Sequence, residues 1–433
     1  MRVGEIGMQL TATEPAIQSE QEPDFVMRFT GLTAAGRRAF RGAGLGWGLD
    51  GMDWMMYSFV TPAIMSSLLL SRDQIANIAS LSLATSAVGG ILGGILADRF
   101  GRARVLVFII LAYSVSTAMC ATAQDFTQLA IWRSVAGAAF GAEWGVGAAM
   151  LAEFAQEGKR GRIMGILQAC YALGWAAAGL LYVIADALFT ANWSWRALFL
   201  VGIAPAFLAL YVRTRVHDNV KLTAKSETKL RLLFRGTQWF TTLRATLLAA
   251  ACQSIYYSVF TFLPLFLAGQ RGLKVSGTSV YVWVAILGSL CGYVVAGFIH
   301  DHIGRRLTFS IYFVGSTLAI VMFLLLPIGG TIGAILAAFP LGFFAAGQTA
   351  GLGAYLAELH ATEIRATGQA FSYSAGRGIS GLATTMVGGI TAALGLGTAI
   401  ATVGICASAL ALIFLWTLPE TKGLVIVDEA ARA

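Results

Sequence analysis

From residue 44 onwards the chain is a succession of long apolar runs joined by short polar connections. Each run approaches the roughly 20 residues that a helix needs to cross the hydrocarbon core of a bilayer. Twelve such runs are predicted: 44–66, 78–98, 104–123, 127–152, 161–186 and 195–213, then 243–268, 278–300, 306–327, 331–357, 366–392 and 396–417. None shows the period-two alternation of a half-buried strand, so a β-barrel is excluded. A basic stretch, 214–242, separates the two sets of six. The pattern predicts an all-α membrane protein of 12 transmembrane helices in two six-helix halves, 44–213 and 243–417, with tails 1–43 and 418–433.

Composition agrees with that pattern. Of 433 residues, 57% are hydrophobic and 12% charged, about half the charge of an ordinary soluble domain. A soluble enzyme, a disordered chain and a collagen-like chain are all excluded. The net charge of +8 does not point to nucleic acid, because the bases sit in the connections and form no stripe interleaved with aromatics. Their distribution sets the orientation instead. With the N-terminus inside, 24 of the 30 Lys and Arg fall on the cytoplasmic side, four outside and two within spans. The positive-inside rule then places both termini in the cytoplasm.

The first 43 residues are polar and carry no cleavable leader. The expected location is the inner (plasma) membrane, as a multi-pass monomer embedded in the lipid bilayer. Five cysteines lie far apart in apolar runs without a CxxC pair, so neither a metal site nor a disulfide framework is expected. No phosphate-binding Walker loop is present and the four histidines lie at expected cytoplasmic positions, which argues against an enzyme and against ATP coupling.

The two halves repeat. Gly94-Ile-Leu-Ala-Asp98-Arg99-Phe-Gly101-Arg102 ends the second run, and Gly297-Phe-Ile-His-Asp301-His-Ile-Gly304-Arg305 ends the eighth, with Asp, Gly and Arg each offset by 203. Glu153 and Arg160 after the fourth run match Glu358 and Arg365 after the tenth, offset by 205. Duplicated six-helix units suit a transporter built from two related halves.

The Gly-x3-Asp-Arg-x-Gly-Arg segment resembles the cytoplasmic-loop motif of the major facilitator superfamily, and Pro419-Glu-Thr-Lys-Gly423 is similar to the tail of many members. The resemblance covers residues 44–423 and implies alternating access around a central site. It implies a gating role for Gly94, Asp98, Arg99, Gly101, Arg102, Asp301, Gly304, Arg305, Glu153, Glu358 and Arg365. In physical terms Gly94 would allow a close helix approach, and Asp98 would accept hydrogen bonds from a helix N-terminus. In the family that helix is the start of the eleventh span.

Ionisable groups within spans cost roughly 2.5–3.5 kcal/mol each on insertion scales and mark function. The first run holds Asp50 and Asp53, three residues apart and so on one helical face. The fourth holds Arg133 and Glu143, and the eleventh holds Arg377. At 1.5 Å per residue, Asp53, Glu143 and Arg377 all lie roughly 14–17 Å from the cytoplasmic end. A buried carboxyl can carry a proton, whereas a guanidinium stays charged and fits a carboxylate bidentately. Asp53, Asp50, Glu143 and Arg133 are therefore candidates for proton coupling, and Arg377 for an anion site. The proton is the coupling ion, and no other cofactor is expected. Gln168, Gln253, Tyr256, Tyr257, Gln348 and Tyr373 are candidate substrate contacts, with Gln369 at a similar depth; for the indoles of Trp47, Trp54 and Trp283, helix packing is favoured over a place in the cavity wall. The opposing structural reading is that these residues neutralise each other, for example Asp50 or Glu143 with Arg133.

Leu49-Asp50-Gly51-Met52-Asp53-Trp54 resembles the paired-aspartate first helix of the sialate:proton and aromatic-acid:proton symporters. Gly141-Ala-Glu143-Trp144-Gly145 and Gln168-Ala-Cys-Tyr-Ala-Leu-Gly174 are most similar to the sialate/monocarboxylate branch. These resemblances imply import of a small anionic organic acid with protons. A sugar or polyol porter, a drug exporter and a transport-dead sensor are the alternatives.

Overall fold

The computed structural model describes residues 34–154, 160–204, 206–207, 230–270, 275–326 and 330–422. Among them no strand occurs. The helices are α1 (Ala34–Leu68), α2 (Arg72–Phe100), α3 (Arg102–Cys120), α4 (Phe126–Phe154), α5 (Arg160–Leu188) and α6 (Ala191–Val201), then α7 (Gln238–Phe260), α8 (Leu263–Gln270), α9 (Val275–Ile303), α10 (Arg305–Ile320), α11 (Gly330–Gly347), α12 (Leu352–Glu358), α13 (Arg365–Leu394) and α14 (Leu396–Trp416). The expected tail 1–33 and most of the linker, 214–229, lie outside the described residues.

Seven membrane-length apolar stretches lie on these helices. The outer surface is consistent with this, with Leu336 and Phe108 67% and 69% exposed, as befits a perimeter that faces lipid. The helices that carry the intramembrane charges, α1, α4 and α13, fall outside that apolar set.

The boundaries differ from the hydropathy runs where polar residues continue a helix. α1 starts ten residues before the expected span, through Arg37 and Arg41, and α7 begins inside the expected linker. The tenth run divides: α11 stops at Gly347, Gln348–Gly351 form turns, and α12 resumes at Leu352. A π-helical stretch, Val321–Leu325, closes α10.

The repeat has a backbone counterpart. Gly101 (φ 95°) separates α2 from α3, and Gly304 (φ 98°) separates α9 from α10. Both sit in the left-handed half of φ space, where a side chain is strained. Each lets two long helices turn back without a loop. The halves meet through two equivalent pairings, α2 against α13 and α5 against α9. The close approach expected at Gly94 is a correction: a Cβ there would meet nothing within 4 Å. Tight packing falls one residue earlier, where a Cβ on Gly93 would lie 2.9 Å from the Cα of Ala142.

Candidate functional site

The middle of α1 supplies three side chains on adjoining faces: Trp47, Asp50 and Asp53. All are buried. Asp53 is taken by Arg133 of α4, whose Nη1 donates to its Oδ2 at 2.7 Å. That guanidinium also lies over the rings of Tyr57 (4.9 Å) and Trp54 (6.0 Å), where cation–π attraction adds to the ion pair. The structural reading paired Arg133 with Asp50 or Glu143; the acid that meets it is Asp53 instead.

Asp50 is placed differently. Its carboxyl lies beside that of Glu143 of α4, and neither of its oxygens receives a hydrogen bond. Glu143 reaches this position because residue 46 is glycine. A Cβ there would overlap the Glu143 carboxyl. Asp50 and Glu143 thus bring two buried carboxyls together, and as carboxylates they offer no donor to each other.

Arg377 of α13 approaches the same level from the other half and is wholly buried. Its Nε donates to Oε1 of Gln253 (α7) at 3.4 Å, while Nη1 and Nη2 make no hydrogen bond. Three rings enclose it: Phe140 at 4.3 Å, Tyr373 at 4.9 Å and Trp47 at 5.8 Å. The Nε2 group of Gln253 in turn donates to the Tyr373 carbonyl at 3.0 Å, so Gln253 holds both the α13 backbone and the guanidinium.

Beside this arginine, a small cavity lies between the halves, lined by Trp47, Gln168, Tyr171, Gln253, Tyr256, Tyr257, Tyr293, Thr349 and Tyr373. Gln168 spans it: Oε1 accepts from Trp47 Nε1 at 2.5 Å, and Nε2 donates to Thr349 Oγ1 at 2.9 Å. The phenols of Tyr171 and Tyr256 carry no hydrogen bond. The walls combine flat aromatic faces with a few amide and hydroxyl groups, the usual make-up of a small-molecule site.

Five of the seven expected substrate contacts (Gln168, Gln253, Tyr256, Tyr257 and Tyr373) are brought together here. Arg377 stands immediately behind the wall formed by Tyr373, Gln253 and Trp47. Gln348 turns away, its Nε2 donating to Ala345 (3.0 Å) and Cys252 (3.4 Å) carbonyls. Its neighbour Thr349 takes the cavity position, because the break after α11 redirects the chain. Gln369 is buried outside the lining, Trp54 packs on Tyr257 at 4.9 Å, and Trp283 is 38% exposed on the perimeter. Tyr171, Tyr293, Thr349 and Phe140 were missed. Tyr171 was legible as the residue three after Gln168, on the same helical face. No local signal marked Tyr293.

Both ends of the cavity are closed by contacts between the halves. At one end the Ser58 hydroxyl reaches the carbonyls of Phe260 and Thr261 at 2.9 and 2.8 Å. At the other, Asp301 Oδ2 accepts the backbone N–H of Arg162 at 3.2 Å, in the first turn of α5. Asp301 also receives Arg305 Nη1 (3.1 Å), and Arg305 binds Glu358 through Nε (3.1 Å) and Nη2 (2.8 Å). This is the hydrogen bond to a helix N-terminus expected of Asp98, observed in the second copy of the motif. The side chains of Asp98, Arg102 and Glu153 lie outside the described residues. Arg99 is exposed, 5.5 Å from the Phe100 ring centroid, and Arg365 opens α13.

The tail joins this cluster. Gly304 has no side chain to cap α10, and Glu420 does so from a distance, accepting the N–H groups of Arg305 and Arg306 at 2.9 Å each. Burial alone would raise the Glu420 carboxyl, but those amides and the ones of Thr421 and Lys422 hold it below the ordinary glutamate value. Thr421 Oγ1 donates to Glu358 at 2.6 Å, and Lys422 Nζ to the His302 carbonyl at 2.7 Å.

Two repeated helical halves, a small cavity between them lined by polar and aromatic side chains, and a charge cluster at one end built on a motif that both halves carry define a membrane transporter. The family model of the Major Facilitator Superfamily matches residues 44–384, and the chain belongs to that superfamily. It is 34% identical over 386 residues to a protein described as a probable 4-methylmuconolactone transporter of Cupriavidus pinatubonensis, covering 88% of this chain and 90% of that one. It is 28% identical over 368 residues to the cis,cis-muconate transport protein of Acinetobacter baylyi, covering 81% and 86%. Among solved structures it resembles the proton:xylose symporter XylE bound to 6-bromo-6-deoxy-D-glucose, with a TM-score of 0.74, 18% identity, and 92% and 99% coverage. That likeness is one of fold. The chain is a transporter and not an enzyme.

Proposed function

We propose that this protein imports a small organic acid together with protons, by alternating access, through twelve membrane crossings with both termini in the cytoplasm of a bacterial inner membrane. The observation that carries the reading is Arg377. A wholly buried guanidinium with both terminal nitrogens free of hydrogen bonds is expensive unless something anionic completes it. A substrate carboxylate entering between Tyr373 and Trp47 supplies that partner bidentately. Its unsaturated body then lies among the rings of Tyr171, Tyr256 and Tyr257, with Gln168 and Thr349 available to polar substituents. Relatives named for muconate and methylmuconolactone transport support this class.

Asp50 and Glu143 hold the coupling proton in this reading, since one proton supplies the donor their contact lacks. Asp53 is held by Arg133 through Oδ2 alone, its Oδ1 having no partner, and contributes the fixed charge beside them. Asp301, Arg305 and Glu358, with the equivalent N-half residues Asp98, Arg102 and Glu153, latch the cytoplasmic end.

Thermal stabilisation of the purified protein tests the substrate class. Muconic, aromatic, hydroxy-, keto- and sialic acids are compared with neutral sugars at pH 5.5 and 7.5. Binding to the native state raises Tm by mass action. A rise with an acid that Arg377→Ala abolishes is expected. A rise with a neutral sugar alone overturns the organic-acid reading.

A further inference from the structure

A second concavity lies on the outside of the bundle, where α1 and α5 cross. It has about 790 Å³ of empty space, with walls that include Leu45, Leu49 and Met52 of α1 and Leu173 and Ala177 of α5. Leu45 and Leu173 are 55% and 58% exposed, so it opens to the perimeter and is separate from the transport cavity. Its floor is bare because the helices touch at glycines: a Cβ on Gly174 would fall 2.9 Å from the Met52 nitrogen. Arg41 stands at one end, and Arg37 lies one turn before it on the same face of α1. Among the described residues no acid pairs with Arg41.

The dimensions suit one occupant. Arg41 to Met52 is eleven residues, about 16 Å of helix, close to half of the roughly 30 Å hydrocarbon core. An apolar channel one leaflet deep, with guanidinium groups at its interfacial end, matches a lipid whose phosphate lies at the headgroup level and whose chain reaches the midplane. We propose that this groove is a binding site for one anionic phospholipid, its acyl chain between Leu45 and Leu173 and its phosphate on Arg41. Adjoining faces of the same two helices carry Trp47, Gln168 and Tyr171. A seated chain therefore braces the crossing that builds the cavity wall.

Native mass spectrometry of the full chain, titrated with dioleoyl phosphatidylglycerol or dioleoyl phosphatidylcholine, tests this. One phosphatidylglycerol per chain is expected, bound about fivefold more tightly than phosphatidylcholine, the preference one basic residue gives at a membrane surface. Arg41→Gln removes that preference. Leu173→Trp, which fills the groove, removes the bound lipid of either kind, whereas Leu336→Trp, at an equally exposed perimeter site, does not. Circular dichroism and Tm of each variant confirm that it is folded. Lipid retained equally by wild type, Arg41→Gln and Leu173→Trp overturns the proposal. So does a two-chain mass that Leu173→Trp reduces to one, which would make the groove an interface between copies.

Discussion

Arg133 donates to Asp53 at 2.7 Å, with side chains 2% and 5% exposed, and so the first helix offers two acids in opposite states. Asp53 has a fixed cation. Asp50, one turn away, has another carboxyl. On the proposed mechanism, that difference makes Asp53 a structural charge and leaves the exchangeable proton to Asp50 and Glu143.

Asp53→Asn leaves the Arg133 guanidinium buried without its counter-charge. Removing one partner of a buried pair costs about 3–5 kcal/mol, so a large drop in Tm is expected. The double variant Asp53→Asn/Arg133→Gln recovers part of the loss, and a double-mutant cycle on Tm reads the coupling. By contrast, Asp50→Asn or Glu143→Gln abolishes accumulation driven by a pH gradient in proteoliposomes while exchange persists. If Asp53→Asn keeps its stability and alone loses pH-driven uptake, the proton belongs on Asp53.

Arg377→Lys keeps the charge and loses the fork. Charge-assisted hydrogen bonds contribute about 1.5–3 kcal/mol, so KM for an acid should rise tenfold or more, with a smaller change in kcat. Counterflow of a labelled acid measures both. An unchanged KM removes Arg377 from the anion site.

Asp301→Asn weakens the latch between α5 and α9 without touching the cavity. Exchange should slow about tenfold, equivalent to roughly 1.4 kcal/mol, while the acid's Kd by calorimetry moves less than about twofold. An affinity loss with normal turnover contradicts a gating role.

Glu420 gives a pH test outside the membrane. Its carboxyl is held below the ordinary value of about 4.3 by the amides it caps. The folded state therefore binds its proton less readily than the unfolded chain. The stabilisation is fully present above that ordinary value and is lost as pH falls through the lower, folded one. Glu420→Gln should lower Tm at pH 7 by about 1–3 °C, a small effect because the site is partly solvated. The difference should close near pH 3. A gap that persists in acid means that Glu420 acts through shape.

Much of the architecture was legible because lipid leaves few options for a backbone. Twenty apolar residues must form a helix, and the repeat at Asp98/Asp301 and Gly101/Gly304 survives as paired positive-φ glycines. The duplicated motif also led to the Asp301 latch. Less legible was anything set by helix rotation or by a break. The turn at Gln348–Gly351 exchanged Gln348 for Thr349 in the cavity, and the tail's Glu420 entered the cluster as a cap for a helix begun by glycine.

Chain order and hydropathy alone establish a helical membrane protein with repeated halves and five ionisable groups, Asp50, Asp53, Arg133, Glu143 and Arg377, in three of its helices. They place Asp53, Glu143 and Arg377 at similar depths and Arg133 nearer the outside, since depth follows from the fixed rise of a helix. Which acid meets which base is a different quantity. It depends on the rotation and closest approach of packed helices, set by small residues such as Gly46 at positions far apart in sequence. Only the assembled bundle decides that Arg133 takes Asp53, that Asp50 is left with Glu143, and that Arg377 stands behind the aromatic wall with no carboxylate hydrogen-bonded to it among the described residues.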